Sequence, residues 1–354
     1  MPLYFDVTLA GRNKHFSGLQ RVSDRLRRAL RKKIGDELIP VRWSARGRGF
    51  CRWDTRAPVI LTREDHFISP EVFSPEERPG FFRGLEESGC SSAIIYHDAI
   101  PLKWPEITWP KSVARHPWYM KALARFHHIF AVSQSSAEEL GIFLDWLDTA
   151  APPPISVLPL GADFVDLTAR NWRHSPGKIP LILSVGILEP RKNQSQTLAV
   201  ARRLWDKGQE FELHFCGRVN PHFGKPMAGE IKRAQRLGYS VFHHFRQSDE
   251  LLLNYYAKAH FSVFNSMAEG FGLPLLESLW LGVPCLCSDL PTHVAMARGG
   301  GCRVVSGREE MEETWKSWLC RQSELEAITR EAKERTLPLW ADAAESVLNW
   351  MKEE

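Results

Sequence analysis

The sequence predicts an α/β protein made of two doubly wound domains. Short apolar runs alternate with helix-length amphipathic stretches through most of the 354 residues, as parallel strands joined by crossover helices do. The same order starts again after a stretch rich in proline, glycine and polar residues. We therefore expect two such domains facing each other across a cleft, with ligands at the carboxyl ends of their strands.

The first half contains apolar runs bounded by turn residues. The predicted elements are strands at residues 3–9, 91–97, 130–132 and 155–160, a turn at Ser17-Gly18 and a helix at residues 19–33. Ser133 follows the third strand and is placed to cap the helix that contains Glu138 and Leu140. The run Ala151-Pro-Pro-Pro154 cannot be helical and leads into the fourth strand.

The second half repeats the pattern after a junction between residues 161 and 177, where proline and glycine cluster. Its predicted strands are residues 181–185, 211–216, 261–264 and 284–287, and its predicted helices are residues 194–207, 249–259 and 274–281. The domains are accordingly assigned to residues 1–165 and 166–335.

Composition excludes several classes of protein. Hydrophobic residues are 44% and charged residues 25% of the chain, which is typical of globular proteins and excludes disordered and fibrous classes. The net charge of +4 is too small to indicate nucleic-acid binding. The seven cysteines show no C-x-x-C spacing, so neither a metal site nor a disulfide is expected and a reducing cytoplasm is inferred. Cys285 and Cys287 are interpreted as small hydrophobes on a buried strand.

Membrane segments are not expected from this sequence. The N-terminus lacks the cationic and apolar regions of a signal peptide. No stretch approaches the roughly 18 apolar residues that a bilayer-spanning helix requires. We expect a protein that is soluble or lies on a membrane surface.

The segment Glu269-Gly-Phe-Gly-Leu-Pro-Leu-Leu-Glu277 carries the strongest chemical signal. A glycine turn between a strand and a helix exposes backbone N–H groups to an anion or to sugar hydroxyls. Glu269 lies in the turn and Glu277 about two helical turns further on, so the two carboxylates can accept hydrogen bonds from different parts of an extended ligand. A solvated acid beside a Gly-Pro turn is the alternative interpretation.

A second segment, Gly186-Ile-Leu-Glu-Pro-Arg-Lys-Asn193, follows a predicted strand and precedes a helix. A guanidinium and an ammonium at this point can neutralise a diphosphate and stabilise it as a leaving group. Arg191 and Lys192 are therefore candidates for diphosphate binding, and Gly186 is a candidate for binding the same ligand. A pair of solvating surface charges is the alternative.

Two weaker candidates lie in the first half. His97 ends a strand and can hydrogen-bond a ligand hydroxyl, although an ordinary buried histidine fits the spacing equally well. Asp98 either orients His97 or caps the following turn. Gly18 lies in the turn after the first strand, where backbone amides can approach phosphates or the acceptor; a routine loop is as good an explanation.

These segments together resemble the large retaining glycosyltransferase family 4, which has the GT-B fold. EGFGLPLLE, with two glutamates separated by seven residues, resembles its signature. Further similar segments follow in the expected order from residue 6 to about residue 350: SGLQRV, YHDAIPLKWPE, VLPLGAD, SVGILEPRKN and LPLWADAAESVL. The last implies that a C-terminal helix, residues 336–354, returns to the first domain.

The resemblance implies roles residue by residue. Glu269 matches the glutamate that contacts the donor sugar, and Glu277 the one that holds the donor ribose. Arg191 and Lys192 match the diphosphate-binding pair. Phe271, Gly272 and Leu273 match the loop whose backbone touches sugar and phosphate, His97 the histidine near the C6 hydroxyl of the donor, and Gly18 the loop glycine. Two places depart from the family pattern: Asp289-Leu-Pro-Thr-His293 lacks a glutamate, and Gly299-Gly-Gly-Cys302 has extra glycine.

The implied reaction is sugar transfer from a nucleotide diphosphate donor by a hexosyltransferase. No D-x-D metal motif occurs, so Arg191 and Lys192 are expected to replace a metal ion and no cofactor is expected. The family is thought to retain configuration by attack on the face that the leaving group vacates. GDP-mannose is the favoured donor because the chain resembles polysaccharide and O-antigen mannosyltransferases. UDP-glucose, UDP-N-acetylglucosamine and dTDP-rhamnose stay open.

The expected acceptor is a glycan or a lipid-linked glycan. Arg21, Arg25, Arg28, Arg31 and neighbouring lysines make one face of the helix at residues 21–33 basic, which either is solvated or binds anionic lipid. Trp104, Trp109 and Trp118 extend that surface, line the acceptor site or simply pack. The expected location is the cytoplasm, with peripheral binding to the inner face of the membrane.

Other functions fit this sequence less well. A non-catalytic GT-B sugar-binding or scaffold protein need not keep Glu269, Glu277, Arg191 and Lys192 together. An epimerase or a phosphorylase on the same fold is a further alternative, but no motif for a pyridoxal-phosphate lysine is recognised. Nucleic-acid binding ranks last because the basic residues concentrate on one helix.

Overall fold

A computed structural model describes residues 1–12, 18–47, 49–163, 174–245 and 248–353. The chain forms two compact units: Met1–Gly161 together with Pro338–Glu354, and Ala162–Leu337. The domain boundary assigned to 165/166 lies outside the described residues, as does Ser17 of the predicted turn. At the other end, the units divide at Leu337/Pro338, near the assigned boundary at 335/336.

The first unit is an α/β fold built on one mixed sheet. Its described strands are β1 (Leu3–Asp6), β2 (Leu38–Ser44), β3 (Gly49–Arg52), β4 (Pro58–Val59), β5 (His66–Ser69), β6 (Ser91–Tyr96), β7 (His128–Ala131) and β8 (Ile155–Val157). Its described helices are α1 (Gly18–Ile34), α2 (Phe81–Ser88), α3 (Ile100–Lys103), α4 (Pro110–Leu123), α5 (Gln134–Trp146) and α13 (Trp340–Glu353).

The strand order of this sheet is β4-β3-β2-β1-β5-β6-β7-β8. The expectation of parallel pairing is correct from β2 to β8 but wrong at one edge, where β3 runs antiparallel to β2 and to β4. The first strand ends earlier than predicted, at Asp6, whose Oδ1 accepts the N–H of Thr8 at 3.0 Å and turns the chain. The fourth predicted strand, β8, is likewise shorter. The predicted cap is confirmed, since Ser133 Oγ accepts the N–H of Ser136 at 3.1 Å.

Helix α1 turns its apolar face into the first unit. Val22, Leu26 and Leu30 are buried, as an amphipathic helix on a core requires. Helix α13 packs against α1, and Lys33 Nζ donates to Glu345 Oε2 at 2.5 Å. The last helix therefore completes the core of the unit that begins the chain.

The second unit contains a fully parallel sheet between helices. Its described strands are β9 (Leu181–Val185), β10 (Glu212–Cys216), β11 (Val241–His244), β12 (Ala259–Phe264), β13 (Cys285–Ser288) and β14 (Cys302–Val305). Its described helices are α6 (Gln194–Asp206), α7 (Lys225–Arg236), α8 (Asp249–Lys258), α9 (Leu273–Trp280), α10 (Pro291–Ala297), α11 (Arg308–Cys320) and α12 (Gln322–Glu334).

The strand order β11-β10-β9-β12-β13-β14 is that of a doubly wound sheet. The chain moves outward from β9 through β10 to β11, then returns to the other side of β9 as β12. Cys285 and Cys287 are fully buried on β13, which confirms their interpretation as small core hydrophobes. Among the described residues, no helix has the length and apolar composition needed to cross a membrane.

Candidate active site

The candidate site of the second unit lies where the strand order reverses. The loops that follow β9 and β12 leave the same edge of the sheet, because these two strands are parallel neighbours. The first loop carries Arg191 and Lys192 on a 3₁₀ turn, Pro190–Lys192, and the second carries Glu269. In doubly wound folds, ligands bind at this switch point.

Glu269 forms ion pairs with both predicted cations. Its Oε2 accepts from Arg191 Nη1 at 2.8 Å, and its Oε1 accepts from Lys192 Nζ. Ser266 Oγ also donates to Oε1, at 2.7 Å. Two segments that were identified separately in the sequence thus form one cluster of charges.

The charge states of this cluster follow from the ion pairs. Burial raises the pKa of Glu269, but the charges of Lys192 and Arg191 outweigh burial and hold its pKa well below the usual range. For Lys192, burial lowers the pKa of the ammonium and the carboxylate of Glu269 opposes that shift. The net effect is a lowered pKa for Lys192 as well, and its direct contact with Glu269 favours the ionised carboxylate.

Glu189 holds the opposite edge of the Arg191 guanidinium, and sequence reasoning missed it. Its Oε1 accepts from Nε and Nη2 of Arg191 at 3.0 and 2.8 Å, while Asn220 Nδ2 donates to its Oε2 at 2.9 Å. Arg191 Nη1 also donates to the carbonyl of Ala268 at 2.8 Å. The available signal was an acid two residues before the arginine within the motif itself.

Gly186 directly follows β9 and lies beside Lys192. A Cβ on Gly186 would lie 3.6 Å from Lys192 Cε. Its carbonyl oxygen would lie only 2.0 Å from a Cβ on Gly217, so the two glycines let the loops after β9 and β10 approach closely.

The predicted glycine loop leads directly into α9. Gly272 precedes the helix with φ +105°, a backbone conformation that favours glycine. Leu273 begins the helix and is buried, and Phe271 packs against a cluster of buried apolar side chains. Glu277 lies on α9 and is 3% exposed, so its carboxylate belongs to the interior of the second unit and is not a solvated surface acid.

His293, on the first turn of α10, was noted in the sequence only as part of a departure from the family pattern. It is 1% exposed. Its Nδ1 lies 3.2 Å from both the hydroxyl and the carbonyl oxygen of Ser288. Its Nε2 lies 3.4 Å from the position that a Cβ on Gly272 would occupy. Burial lowers the pKa of His293, although Glu269 opposes this, so the neutral imidazole is favoured.

His97 and Gly18 belong to the first unit. His97 follows β6, and its Nε2 lies 3.1 Å from the carbonyl oxygen of Pro70; burial lowers its pKa. Asp98 Oδ1 accepts the N–H of Ile100 at 3.0 Å, so of its two suggested roles the structure shows the cap. Gly18 is the exposed first residue of α1.

A buried charge cluster supports the segment that leaves β1. Arg78 donates to Asp6 Oδ2 at 2.5 Å and to Glu71. Glu71 Oε1 accepts the N–H groups of Leu9 and Ala10 at 2.6 and 2.9 Å. The cluster thereby fixes residues between β1 and α1, and no pattern in the sequence indicated it.

Comparison with known proteins agrees with this fold. Residues 168–335 match the model of the family described as glycosyl transferases group 1. The serotype-specific mannosyltransferase WbdA of Escherichia coli is 25% identical over 256 residues, which cover 68% of this chain and 31% of that protein. The GDP-mannose:cellobiosyl-diphosphopolyprenol alpha-mannosyltransferase of Xanthomonas oryzae is 26% identical over 168 residues, covering 47% of this chain and 42% of that protein.

A solved structure shows the same fold over the full length. Alr3699/HepE from Anabaena, in complex with UDP and glucose, matches with a TM-score of 0.73 at 11% identity and covers 100% of both chains. The chain spans less than half the length of the two curated relatives named above. The chain therefore has the GT-B fold, and its residues 168–335 match the glycosyl transferases group 1 family.

Proposed function

We propose that this protein transfers a sugar from a nucleotide diphosphate donor to a glycan or lipid-linked glycan acceptor, with retention and without a metal ion. The observation that carries the proposal is the cluster of Arg191, Lys192 and Glu269 at the switch point of a doubly wound sheet. Two cations at the carboxyl ends of strands suit a diphosphate leaving group.

The donor must compete with Glu269 for these cations. Glu189 and Glu269 together offset the charges of Arg191 and Lys192. A diphosphate arriving here draws Lys192 and Arg191 away from Glu269, because each of its oxygens is a strong charge-assisted acceptor. The released carboxylate of Glu269 is then available to accept hydrogen bonds from hydroxyls of the donor sugar.

The proposed transfer takes place on one face of the sugar. The bond from the anomeric carbon to the diphosphate oxygen breaks, and the bond from that carbon to the acceptor oxygen forms on the same face. The acceptor proton passes to the departing phosphate oxygen, so the reaction needs no protein base. Arg191 and Lys192 stabilise the negative charge that develops on the diphosphate.

GDP-mannose is the proposed donor. WbdA is named as a mannosyltransferase, and the Xanthomonas protein is named for GDP-mannose. The complex of Alr3699/HepE with UDP and glucose makes UDP-glucose the first alternative to test.

Thermal shift with GDP, UDP, dTDP and their sugar conjugates, in the presence of a chelator, tests this function. We expect stabilisation by one nucleotide diphosphate. It should be lost in Arg191→Ala and Glu277→Gln and kept in Arg233→Ala, a matched change at an exposed position of α7. Product formation with that donor, followed by NMR of the anomeric proton, then reports retention or inversion.

Three results contradict separate parts of the proposal. Loss of transfer in the presence of a chelator contradicts the metal-free mechanism. A product with inverted anomeric configuration contradicts retention. Stabilisation by a free glycan but by no nucleotide favours the non-catalytic sugar-binding alternative.

We also propose that the basic face of α1 lies against anionic lipid, which would bring the enzyme to a lipid-linked acceptor. The apolar face of α1 is buried, so only its charged side is available, and Arg28 and Lys32 lie on that side. Arg28→Glu with Lys32→Glu should reduce sedimentation with vesicles that contain anionic phosphatidylglycerol. Equal sedimentation with purely zwitterionic vesicles contradicts the proposal.

A further inference from the structure

His293 is a buried polar residue for which the proposed transfer, as described above, has no role. It is 1% exposed, yet it lies next to Gly272 and interacts electrostatically with Glu269 and Lys192. A polar side chain in such a position is costly to bury unless its polar atoms are satisfied. Each of the two imidazole nitrogens therefore needs a hydrogen-bond partner.

Ser288 fixes the tautomer of His293. The carbonyl oxygen of Ser288, 3.2 Å from Nδ1, can only accept. The hydroxyl of Ser288 donates its proton to the carbonyl of Ser266 at 2.7 Å, so towards Nδ1 it also can only accept. Nδ1 must therefore carry the proton, and in the neutral ring Nε2 is left as a bare acceptor.

Nε2 faces the start of α9. It lies 3.4 Å from where a Cβ on Gly272 would be, which means that the missing side chain of Gly272 leaves open space beside this nitrogen. Among the residues that the structure describes, none forms a hydrogen bond with Nε2. An acceptor that belongs to a nearly buried side chain, lacks a partner and lies beside Gly272 indicates that a ligand supplies the donor.

Hydrogen bonds connect His293 to the charge cluster. Ser288 bonds to the carbonyl of Ser266, and the hydroxyl of Ser266 bonds to Glu269 Oε1 at 2.7 Å. His293 bonds to Ser288 and Glu269 bonds to Ser266, so the bond between the two serines links the two side chains. Both side chains present acceptors, and acceptors repel phosphate oxygens but attract hydroxyl groups.

We propose that His293 Nε2 accepts a hydrogen bond from a hydroxyl group of the transferred sugar and so helps to select the donor. This inference rests on the proposed function, since it assigns a specificity-determining residue to the same site. It predicts that His293 contacts the sugar of the donor and not its diphosphate.

The test compares His293→Phe, which keeps the ring but lacks the acceptor, with His293→Gln, whose amide oxygen can replace Nε2. The measurements are the Kd of GDP and the kcat/KM for GDP-mannose and for its monodeoxy analogues. For His293→Phe we expect kcat/KM with GDP-mannose to fall about 10- to 100-fold, while the Kd of GDP changes by less than about twofold. His293→Gln should recover part of the loss.

The deoxy analogues identify the hydroxyl. The wild-type protein should discriminate against one monodeoxy analogue, and His293→Phe should use that analogue and GDP-mannose equally well. Discrimination that persists against every analogue overturns the inference. A parallel loss of GDP affinity also overturns it, because replacing a residue that merely supports the loop would weaken the binding of both GDP and GDP-mannose.

Failure of the inference can be told from failure of the function. If the wild-type protein uses GDP-mannose or another nucleotide sugar and the variants behave like it, only the role of His293 is wrong. If the wild-type protein binds no nucleotide sugar, both proposals fall. ¹⁵N NMR of the imidazole gives a readout independent of activity: a proton on Nε2 in the ligand-free protein contradicts the assignment.

Discussion

Arg191 Nη1 donates to Glu269 Oε2 at 2.8 Å although 78 positions separate the two residues in the sequence. The contact joins the loop after β9 to the loop after β12, and a second bond from Arg191 to the carbonyl of Ala268 reinforces it. The two loops are therefore joined by ion pairs in which carboxylates hold the cations of the candidate site.

Replacing Glu269 with glutamine should separate binding from transfer. Without the carboxylate, Arg191 and Lys192 lose a competitor for the diphosphate, so we expect GDP to bind at least as tightly as before. Transfer should fall about 100-fold or more if Glu269 contacts the sugar in the transition state. Calorimetry with GDP and a transfer assay measure the two effects.

The same variant should also be less stable. Breaking a buried ion pair costs up to about 3–5 kcal/mol, and Arg191 keeps Glu189 as a partner, so we expect a smaller loss of about 2 kcal/mol. Glu313→Gln, on an exposed position of α11, is the matched control. Unchanged transfer by Glu269→Gln would show that this carboxylate does not act on the donor.

Alanine at Gly272 should weaken both stability and donor binding. The residue has φ +105°, and an L-residue in the left-handed region costs about 1–2 kcal/mol. The added methyl group would also occupy the space next to His293 Nε2. Thermal unfolding and GDP-mannose binding measure the two losses.

Gly229→Ala is the control for that change. Gly229 is exposed inside α7, and a Cβ there meets nothing within 4 Å. Alanine should stabilise this helix by about 0.5–1 kcal/mol. If both substitutions stabilise the protein, the conformation assigned to Gly272 is wrong.

Removing Arg78 should destabilise the first unit strongly. Arg78→Leu leaves the carboxylates of Asp6 and Glu71 buried without their cation, and this costs about 3–5 kcal/mol. Arg83→Leu removes an exposed arginine paired with Glu87 and should change the free energy of unfolding little. Denaturant unfolding compares the two variants, and equal midpoints would contradict the role of the cluster.

Acid should destabilise the second unit through His244. Burial, together with the neighbouring His214 and His243, lowers the pKa of His244 to about 4, whereas an unfolded histidine titrates near about 6.5. The unfolded chain therefore binds this proton first. The stability that depends on the neutral ring is present above pH 6.5 and is lost as pH falls towards 4.

His244→Phe removes this titration and keeps a ring beside Tyr255, whose centroid lies 4.3 Å from that of His244. The drop in Tm between pH 7 and pH 4.5 should be smaller in this variant than in the wild-type protein. His222→Phe, at an exposed position, should leave the drop unchanged. Identical drops in wild type and His244→Phe would show that another group controls acid stability.

The sequence predicted the parts of the site that depend on local patterns. Strand β9 has the predicted bounds, and Arg191, Lys192 and Glu269 were placed correctly on loops after strands because apolar runs and glycine turns are local signals. Alternating strands and helices also sufficed for two doubly wound units. The strand order of the second unit then explains why Arg191, Lys192 and Glu269 lie together at its switch point.

Other features depend on partners that are distant in the chain. Asp6 and Arg78 are 72 positions apart, and no spacing rule relates them. The antiparallel strands β3 and β4 contain Arg52 and Pro58, and their short sequences do not have the pattern that predicts a strand. In the sequence, His293 was noted only because its segment lacks the glutamate of the family pattern. The contacts of its ring with Ser288 show which nitrogen can accept a hydrogen bond.

The position of α13 has a consequence for synthesis on the ribosome. Its buried side chains, among them Ala343 and Val347, complete the unit that the chain starts, while Ala162–Leu337 is contiguous. The nascent second unit can therefore reach its native core while the first still lacks the helix that packs against α1. Chains released before α13 emerges should be preferred clients of chaperones and proteases, since domains fold as units and unfinished cores aggregate.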